Sequence, residues 1–393
     1  MINQDQFAYL LPQLIHHRRY LHIHPEVGFY LPNTHDFVAS ILGQLKIPFV
    51  PHVGKYSLVG TIENGVGPVI GLRADMDALP MEEANKNIPY CSQKPGMMHA
   101  CGHDAHTAIL LSVADYLVHH KNQWKGTVQL IFQEAEEGPE PGGAEGIVKS
   151  GLVDNVDCFF GLHCGPQYPA NTFAIKDLGA MASADTIRIK LIGKGAHAAY
   201  PHLGVDPIVM QAELILAIQS IPTRMIDPTE PCVITIAQVH SGSTHNIIPE
   251  SAFLEGTVRA FNQDVRKKIE KSLEIAIKSV TLRHGGSYEY QYVYGYDALI
   301  NQPQPTNYLK KIIKTVFGNE ALTELSKPSM GAEDFSKYIN HRTGCMVWLG
   351  TGSTPETKFG LHHPRFDVDE AALINGVSLF VNLVHEYHTI EEK

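Results

Sequence analysis

The sequence predicts an α/β protein that carries a second, inserted domain. In the first half of the chain, patterns typical of helices alternate with short apolar runs typical of buried strands. The middle of the chain has its own strand–helix–strand–strand–helix–strand pattern, which favours a small βαββαβ domain of the ferredoxin-like kind. A chain of 393 residues is long enough for two hydrophobic cores.

The first half supplies strands and covering helices. The run Val69-Ile70-Gly71-Leu72 is short and apolar, as expected of a buried strand, and Asn33 and Thr34 are expected to cap the second helix. We predict helices at residues 5–21, 33–45 and 104–120, and strands at residues 69–72, 127–132 and 157–162.

The rest of the chain completes the insert and then returns to the host domain. Within the insert we expect strands at residues 186–192, 233–240, 252–260 and 288–294, and helices at residues 206–221 and 264–284. A helix, a strand and a helix follow at residues 307–315, 346–350 and 370–387. The predicted bounds are therefore 1–181 and 298–393 for the host domain and 182–297 for the insert.

Composition argues against several classes of protein. The net charge of −10 and the lack of a Lys/Arg-rich block disfavour binding to nucleic acid or to an anionic membrane surface. The sequence has no apolar run of membrane-spanning length and no signal-peptide pattern at its start. Six scattered cysteines fit a reducing compartment better than a disulfide framework. We expect a cytoplasmic protein without membrane or nucleic-acid partners.

Candidate metal ligands are spread along the chain. Structural zinc sites usually cluster their ligands in short Cys/His motifs and fill all four positions. A set that is distributed and mixes sulfur, nitrogen and oxygen is typical of a catalytic site with more than one ion. The candidates are Cys101, His103, Glu136, Glu137, His163 and His362.

The candidate groups recur just after predicted strands. Asp75 and Asp77 follow the first strand, Glu136 and Glu137 follow the second, and His163 follows the third. The carboxyl ends of strands in an open α/β sheet are the expected place for a functional site. We therefore expect these side chains to meet at one edge of the sheet.

Motifs in order along nearly the whole chain resemble those of one enzyme family. They are His16-His17-Arg18-Arg19-Tyr20-Leu21-His22, Pro25-Glu26, Arg73-Ala74-Asp75-Met76-Asp77-Ala78-Leu79-Pro80, Met98-His99-Ala100-Cys101-Gly102-His103-Asp104, Glu136-Glu137-Gly138, Gly143-Ala144, Gly161-Leu162-His163, Gly195-Ala196-His197, Asn246-Ile247-Ile248-Pro249 and Leu361-His362-His363-Pro364. The chain resembles the amidohydrolases that include hippurate hydrolase, indole-acetyl-amino-acid hydrolase and N-acetyl-diaminopimelate deacetylase. These belong to the larger group of two-metal aminoacylases and carboxypeptidases. The resemblance implies a metallo-exopeptidase-like catalytic domain and a lid or dimerisation role for the insert.

The resemblance also implies two divalent ions, with Cys101 shared between them. A thiolate favours zinc over magnesium or calcium and does not exclude manganese, so both zinc and manganese stay open. Each residue taken alone is more often part of a core than a ligand, and only the combination argues for a site. The implied ligands are Cys101, His103, Glu137, His163 and His362. The remaining cysteines, together with His99 and His363, are not expected to coordinate.

Glu136 is the candidate general base, because amide hydrolysis needs a proton carrier beside the nucleophilic water. Glu134 stands where relatives often have proline, and we expect it to be a solvated loop charge. Asp77 is expected to orient a ligand imidazole, and Asp75 replaces a histidine that is a ligand in more distant relatives. The alternative for this aspartate pair is a cap on the turn after the strand.

In the insert, the resemblance assigns His197 to stabilising the oxyanion across a dimer. Asn246 and Arg259 would hold the substrate carboxylate, to which a guanidinium fork is suited. Glu333 belongs to another motif near the site. The alternatives are an exposed turn for His197, a surface charge for Arg259 and a helix N-terminus for Glu333. A homodimer through the insert is the expected assembly.

The sequence leaves three functional hypotheses, two enzymatic and one non-catalytic. The first is hydrolysis of N-acyl amino acids, a small-molecule substrate class whose acyl group the sequence leaves open. The second is a dipeptidase or exopeptidase of the same fold. The third is a metal-dependent binding protein without catalysis. The Cys101 site favours the first hypothesis, and the retention of Glu136 and His197 argues against the third.

Overall fold

The computed structural model describes residue 2 and residues 4–387 of the chain. The chain forms two compact units. Unit 1 comprises the described parts of Met1–Ala180, Ile300–Lys327 and Asp334–Lys393, and unit 2 comprises Met181–Leu299 and Pro328–Glu333. The predicted α/β class is confirmed, whereas the predicted domain bounds and the role of the insert stay predictions.

Strands and helices follow one another along the whole described chain. The strands are β1 (Phe49–Val53), β2 (Ser57–Asn64), β3 (Val69–Asp75), β4 (Gly126–Gln133), β5 (Cys158–Pro169), β6 (Phe173–Ile175), β7 (Leu178–Met181), β8 (Ala184–Ile192), β9 (Ala196–His197), β10 (Cys232–Ser241), β11 (Ile247–Ile248), β12 (Ser251–Ala260), β13 (Ser287–Tyr296), β14 (Leu299–Asn301), β15 (Leu322–Glu324) and β16 (Thr343–Gly352). The α-helices are α1 (Leu11–Ile23), α2 (Pro32–Gln44), α3 (His103–His119), α4 (Gly143–Lys149), α5 (Pro207–Ile218), α6 (Gln263–His284), α7 (Pro303–Val316), α8 (Ser336–His341) and α9 (Leu373–Tyr387). Short 3₁₀ turns, and a π turn at Ile221–Met225, link several of them.

A mixed sheet organises unit 1. Within the described residues, its eight strands run in the order β1-β2-β4-β3-β5-β16-β6-β15. The neighbours β4, β3, β5 and β16 are parallel to one another, so their carboxyl ends reach the same edge. The core combines apolar side chains of these strands with those of α1, α3, α7 and α9. Nearly every residue of β3 and β4 is buried, as expected of parallel strands that are covered on both faces, and their carboxyl ends carry polar side chains.

Unit 2 has a separate antiparallel sheet with its own core. Its strand order is β10-β12-β8-β13, and α5 and α6 pack against this sheet. Alternate side chains of β8 and β12 are buried, as in a sheet with one covered face. All six elements that the sequence predicts within the insert have a counterpart here.

Local chemistry changes several predicted bounds. The helix expected at residues 5–21 divides into a 3₁₀ turn, Gln4–Leu10, and α1, because Pro12 lacks the N–H that a helix interior requires. The cap expected from Asn33 and Thr34 is wrong: the carboxylate of Glu26 accepts both of their backbone N–H groups, at 3.2 and 2.9 Å. The sequence patterns also missed β1 and β2, which lie at one edge of the sheet.

The described residues contain no helix with the combination of length and apolar character that crossing a membrane requires.

Candidate active site

The turn that begins α3 presents Cys101 and His103 together. Gly102 between them has φ +88°, and a Cβ at this position would come within 3.0 Å of the Cys164 Cβ atom. Glycine is therefore required both by the backbone conformation and by the space available. The His103 ring donates from Nδ1 to the backbone oxygen of Asp77 at 2.8 Å, which leaves Nε2 directed into the site.

His163 reaches the same place from β5. Its Nε2 lies 3.5 Å from the Cys101 sulfur, and its Nδ1 donates to the Cys164 oxygen at 2.8 Å. The prediction that His163 follows the end of a strand is wrong, because β5 continues to Pro169 through its pairing with β16. The pairing of β5 with β3 stops at Gly161, however, so His163 lies beyond the paired part of β3.

The segment after β4 holds Glu136 and Glu137 in a fixed turn. The two carboxylate oxygens of Asp77 accept the backbone N–H groups of Glu136 and Glu137, at 2.9 and 3.0 Å. Asp77 thus both caps this turn and, through its backbone oxygen, orients His103. The turn that Asp77 caps follows β4 and not its own strand β3, and its role in orienting a metal-ligand imidazole stays a prediction.

His362 arrives from the far end of the chain. Its backbone N–H donates to the Ala100 oxygen at 2.8 Å, and its Nε2 donates to Glu137 Oε1 at 3.0 Å. The residue has a positive φ of 61°, an uncommon conformation for a non-glycine residue. Its side chain stays 54% exposed, so this side of the site is open to solvent.

The four other predicted ligands converge on the Cys101 thiol. Potential ligand atoms of Cys101, His103 and His163 lie within 4.8 Å of one another, and so do those of Cys101, Glu137 and His362. The His103 Nε2 atom is buried without a hydrogen-bond partner, at 3.6 Å from Asp75 and 3.8 Å from Glu136. A buried, unpaired imidazole nitrogen among thiol, imidazole and carboxylate donors fits a pair of divalent cations.

The same surroundings shift the protonation of these groups. Burial, followed by the carboxylates of Glu137 and Glu136, raises the pKa of the Cys101 thiol well above its usual range. Burial alone would lower the pKa of His103, but the carboxylates of Asp75 and Asp77 raise it to about 10. Excess negative charge at the site thus retains protons where cations are absent.

In unit 2, a two-stranded ribbon brings His197 and Asn246 together. His197 on β9 pairs with Ile247 on β11, and the Ala198 N–H donates to the Asn246 oxygen at 3.0 Å. His197 and Asn246 are both exposed in the chain. His197 Nδ1 accepts the Ala199 N–H at 3.0 Å, which leaves Nε2 as the outward nitrogen.

Arg259 lies at the other end of this unit. The ribbon adjoins the Ser251 end of β12, where the Gly193 N–H donates to the Glu250 oxygen at 2.8 Å. At about 3.4 Å per residue, Ser251 and Arg259 are about 27 Å apart along β12. Within one copy of unit 2, the structure therefore does not bring Arg259 to His197. Glu333 is buried in an irregular segment of the same unit.

Comparison with known proteins identifies the family. The model of peptidase family M20/M25/M40 matches residues 71–386. The chain belongs to this family.

Proteins similar to this M20 chain are named for different reactions. An N-acyl-L-amino acid amidohydrolase of Geobacillus stearothermophilus is 38% identical over 285 residues, covering 72% of this chain and 76% of the relative. Thermostable carboxypeptidase 1 of Saccharolobus solfataricus is 36% identical over 364 residues, covering 92% and 91%. The crystal structure of the Bacillus subtilis YXEP protein, a dinuclear metal binding peptidase from the M20 family, has a TM-score of 0.84 at 31% identity and covers 97% of this chain and 99% of that one.

Beside the candidate ligands of this M20 chain lies a buried charge network that the sequence did not predict. Arg73 binds Asp75 at 2.6 Å and Asp334 at 2.8 Å, and His106 donates to Asp75 at 2.6 Å. Burial would raise the pKa of Asp75, but Arg73, His103 and His106 hold it well below its usual range. Arg73 begins the motif Arg73-Ala74-Asp75-Met76-Asp77-Ala78-Leu79-Pro80, so the sequence contains a signal for this residue although it does not reveal the contacts of Arg73.

The prediction for Glu134 is wrong. This residue is buried, and its carboxylate accepts the backbone N–H groups of Lys55 at 2.9 Å and Tyr56 at 2.5 Å. Its own N–H donates to the Ser57 hydroxyl at 3.0 Å, a bond that proline could not make. Glu134 therefore fastens the turn between β1 and β2 to the segment that carries Glu136.

Proposed function

We propose that this chain is a metal-dependent amidohydrolase that cleaves N-acyl amino acids to a carboxylic acid and a free amino acid. The observation that carries the proposal is the convergence of four donor side chains on the Cys101 thiol, with Glu136 beside the two groups that share this thiol. Membership of the M20 family and similarity to an N-acyl-L-amino acid amidohydrolase support the same activity.

Two divalent cations, zinc or manganese, would be held by Cys101, His103, Glu137, His163 and His362. Cys101 belongs to both donor groups and would be the ligand common to both ions. When bound, such ions supply Lewis-acid stabilisation of a carbonyl oxygen and favour ionisation of water. Similarity to a dinuclear metal binding peptidase supports the number of ions, and a thiolate with imidazoles suits either metal.

Within this site, Glu136 is the proton carrier. One of its carboxylate oxygens accepts a proton from the attacking water and then delivers it to the departing amine nitrogen. Asp77 supports this role by fixing the backbone of Glu136, and it orients His103 through its backbone oxygen. Asp75, bonded to Arg73 and His106, presents negative charge beside the His103 ring.

Unit 2 serves as a ferredoxin-like lid and as the dimerisation domain. His197 stabilises the developing oxyanion, Asn246 and Arg259 bind the substrate carboxylate, and Glu333 contributes to substrate binding. Exposed apolar side chains on its helices support self-association: Val209 is 50%, Leu216 75% and Leu282 77% exposed. The edge strand β10 offers unpaired backbone groups that a second copy could satisfy.

A panel of substrates tests the reaction. We expect kcat/KM for N-acetyl and N-benzoyl amino acids to exceed that for dipeptides by at least about tenfold, with manganese or zinc supplied. Higher activity on dipeptides or on peptide carboxyl termini would favour the second candidate, a peptidase, for which the similarity to a carboxypeptidase argues. No turnover of any substrate by the metal-loaded protein would favour a binding protein.

Metal uptake should release protons. In the metal-free protein near pH 7.5, the raised pKa values keep Cys101 as a thiol and His103 as an imidazolium. Both must lose a proton to coordinate, so about two protons should leave and the apparent affinity should fall as the pH is lowered. Calorimetric titrations in buffers of different ionisation enthalpy measure this number.

Cys164 provides a matched control for Cys101. Cys164 is also buried and also has a raised pKa, but it lies outside the candidate donor groups. The substitution C164S should leave proton release unchanged, whereas C101S should abolish the thiol contribution together with binding. Release of no protons by the wild-type chain would contradict the prediction.

A further inference from the structure

The arginine pair of the N-terminal motif lies outside the proposed chemistry, yet one of its members is entirely buried. Arg18 on α1 has a side-chain exposure of 0%, and its guanidinium contacts carboxylates from distant parts of unit 1. A buried guanidinium is stable only where its charge and its N–H donors are matched. The positions of its partners are therefore tightly constrained.

The first partner lies beside a proposed ligand. Arg18 Nε donates to Asp104 Oδ2 at 2.8 Å, and His22 Nδ1 donates to the same oxygen at 2.7 Å. Asp104 stands in the first turn of α3, directly after His103. The guanidinium thus holds the helix turn that presents Cys101 and His103.

The other partners lie in the segment that follows His362. Arg18 Nη2 donates to Asp367 Oδ1 at 2.9 Å, and Nη1 donates to Glu370 Oε1 at 3.2 Å. The Tyr90 hydroxyl donates to the second oxygen of Asp367 at 2.8 Å, and its ring lies 4.7 Å from the Arg18 guanidinium carbon. Asp367 is thereby fixed from two sides.

We propose that Arg18 is a positioning residue that sets the separation between the Cys101–His103 turn and His362. The inference rests on the proposed two-metal function and adds a residue to it. Among the residues that the structure describes, one backbone hydrogen bond, from His362 to Ala100, joins the two segments directly, and the Arg18 guanidinium is the charged second link.

The two ions should not depend on Arg18 equally. His103 and His163 are each oriented by a hydrogen bond from Nδ1 to a backbone oxygen close to the site. His362, which is half exposed and has a positive φ, depends more on the segment that carries it. Loss of Arg18 should therefore weaken mainly the ion that Cys101, Glu137 and His362 would share.

Titration of the metal-free full chain with Zn²⁺, followed by metal analysis, tests this. For R18M we expect one ion bound as in the wild type and the second bound at least about tenfold more weakly. R19M is the matched control, because Arg19 is the next residue, binds the same Glu370, and is 41% exposed. It should bind both ions with wild-type affinities.

A second variant covers the case in which R18M does not fold. D367N keeps the side-chain volume but removes one of the carboxylates on the guanidinium, and the same selective weakening is expected. Wild-type affinities for both ions in a folded R18M or D367N would overturn the inference, as would equal weakening of both ions. A wild-type chain that binds fewer than two ions would instead overturn the proposed function, and this inference with it.

Discussion

Replacing Glu136 by glutamine is expected to lower kcat by about 10²–10⁴-fold while both ions remain bound. Glutamine has nearly the same volume but cannot accept a proton from water or return one to the leaving amine. The backbone N–H of this residue, which donates to Asp77, is unaffected by the change. Cys101, Glu137 and His362 form their donor group without Glu136. Steady-state kinetics and metal analysis on the same preparation measure both effects.

Neighbouring carboxylates provide the comparison. E134Q should keep the wild-type kcat and lose about 1–2 kcal/mol of unfolding free energy, because Glu134 binds the backbone of Lys55 and Tyr56. E137Q should weaken metal binding, since Glu137 belongs to a donor group with Cys101. If E136Q lost an ion and E137Q retained both, the roles of Glu136 and Glu137 would be reversed.

The proximity of the candidate ligands could be predicted from the sequence because local order and strand position carry that information. Glu136 and Glu137 follow β4, and Asp75 is the last residue of β3 rather than a residue after it. The carboxyl ends of these parallel strands must share one edge whatever the details of packing. The alternation of apolar residues likewise located β8 and β12 of unit 2, which have one buried face. In these places the fold follows from the position of a strand and from its alternation of apolar residues, and both can be seen in the sequence.

Such patterns could not predict the contacts of buried charged residues. Arg18 and Asp104 are 86 positions apart in the chain, and no periodicity relates a basic residue on α1 to an acidic residue on α3. The sequence predicts that Glu134 is a solvated charge in a loop, yet its carboxylate accepts two backbone N–H groups of the β1–β2 turn. These partners lie in the turn between β1 and β2, two strands that the sequence did not predict.

The proposed role of His197 leads to the second large effect, which concerns two chains together. His197 and Asn246 share a ribbon at the Ser251 end of β12, whereas Arg259 lies about 27 Å away along the same strand. One small substrate cannot contact both ends of one copy of unit 2. If all three residues bind it, the ribbon and the arginine come from different copies, as a two-fold dimer allows.

Mixing two inactive variants, H197A and E136Q, should therefore restore activity. In a mixed dimer both lesions fall on one site, and the other site combines an intact Glu136 with the partner's intact His197, so about half of the dimer's activity should return. Each variant alone should lose at least about 10²-fold in kcat, as expected for a missing oxyanion donor or proton carrier. E136Q mixed with the double variant H197A/E136Q has no intact site and should stay inactive. Absence of recovery after verified subunit exchange would mean that His197 acts within its own chain or outside the reaction, and that Arg259 and the ribbon do not bind one substrate.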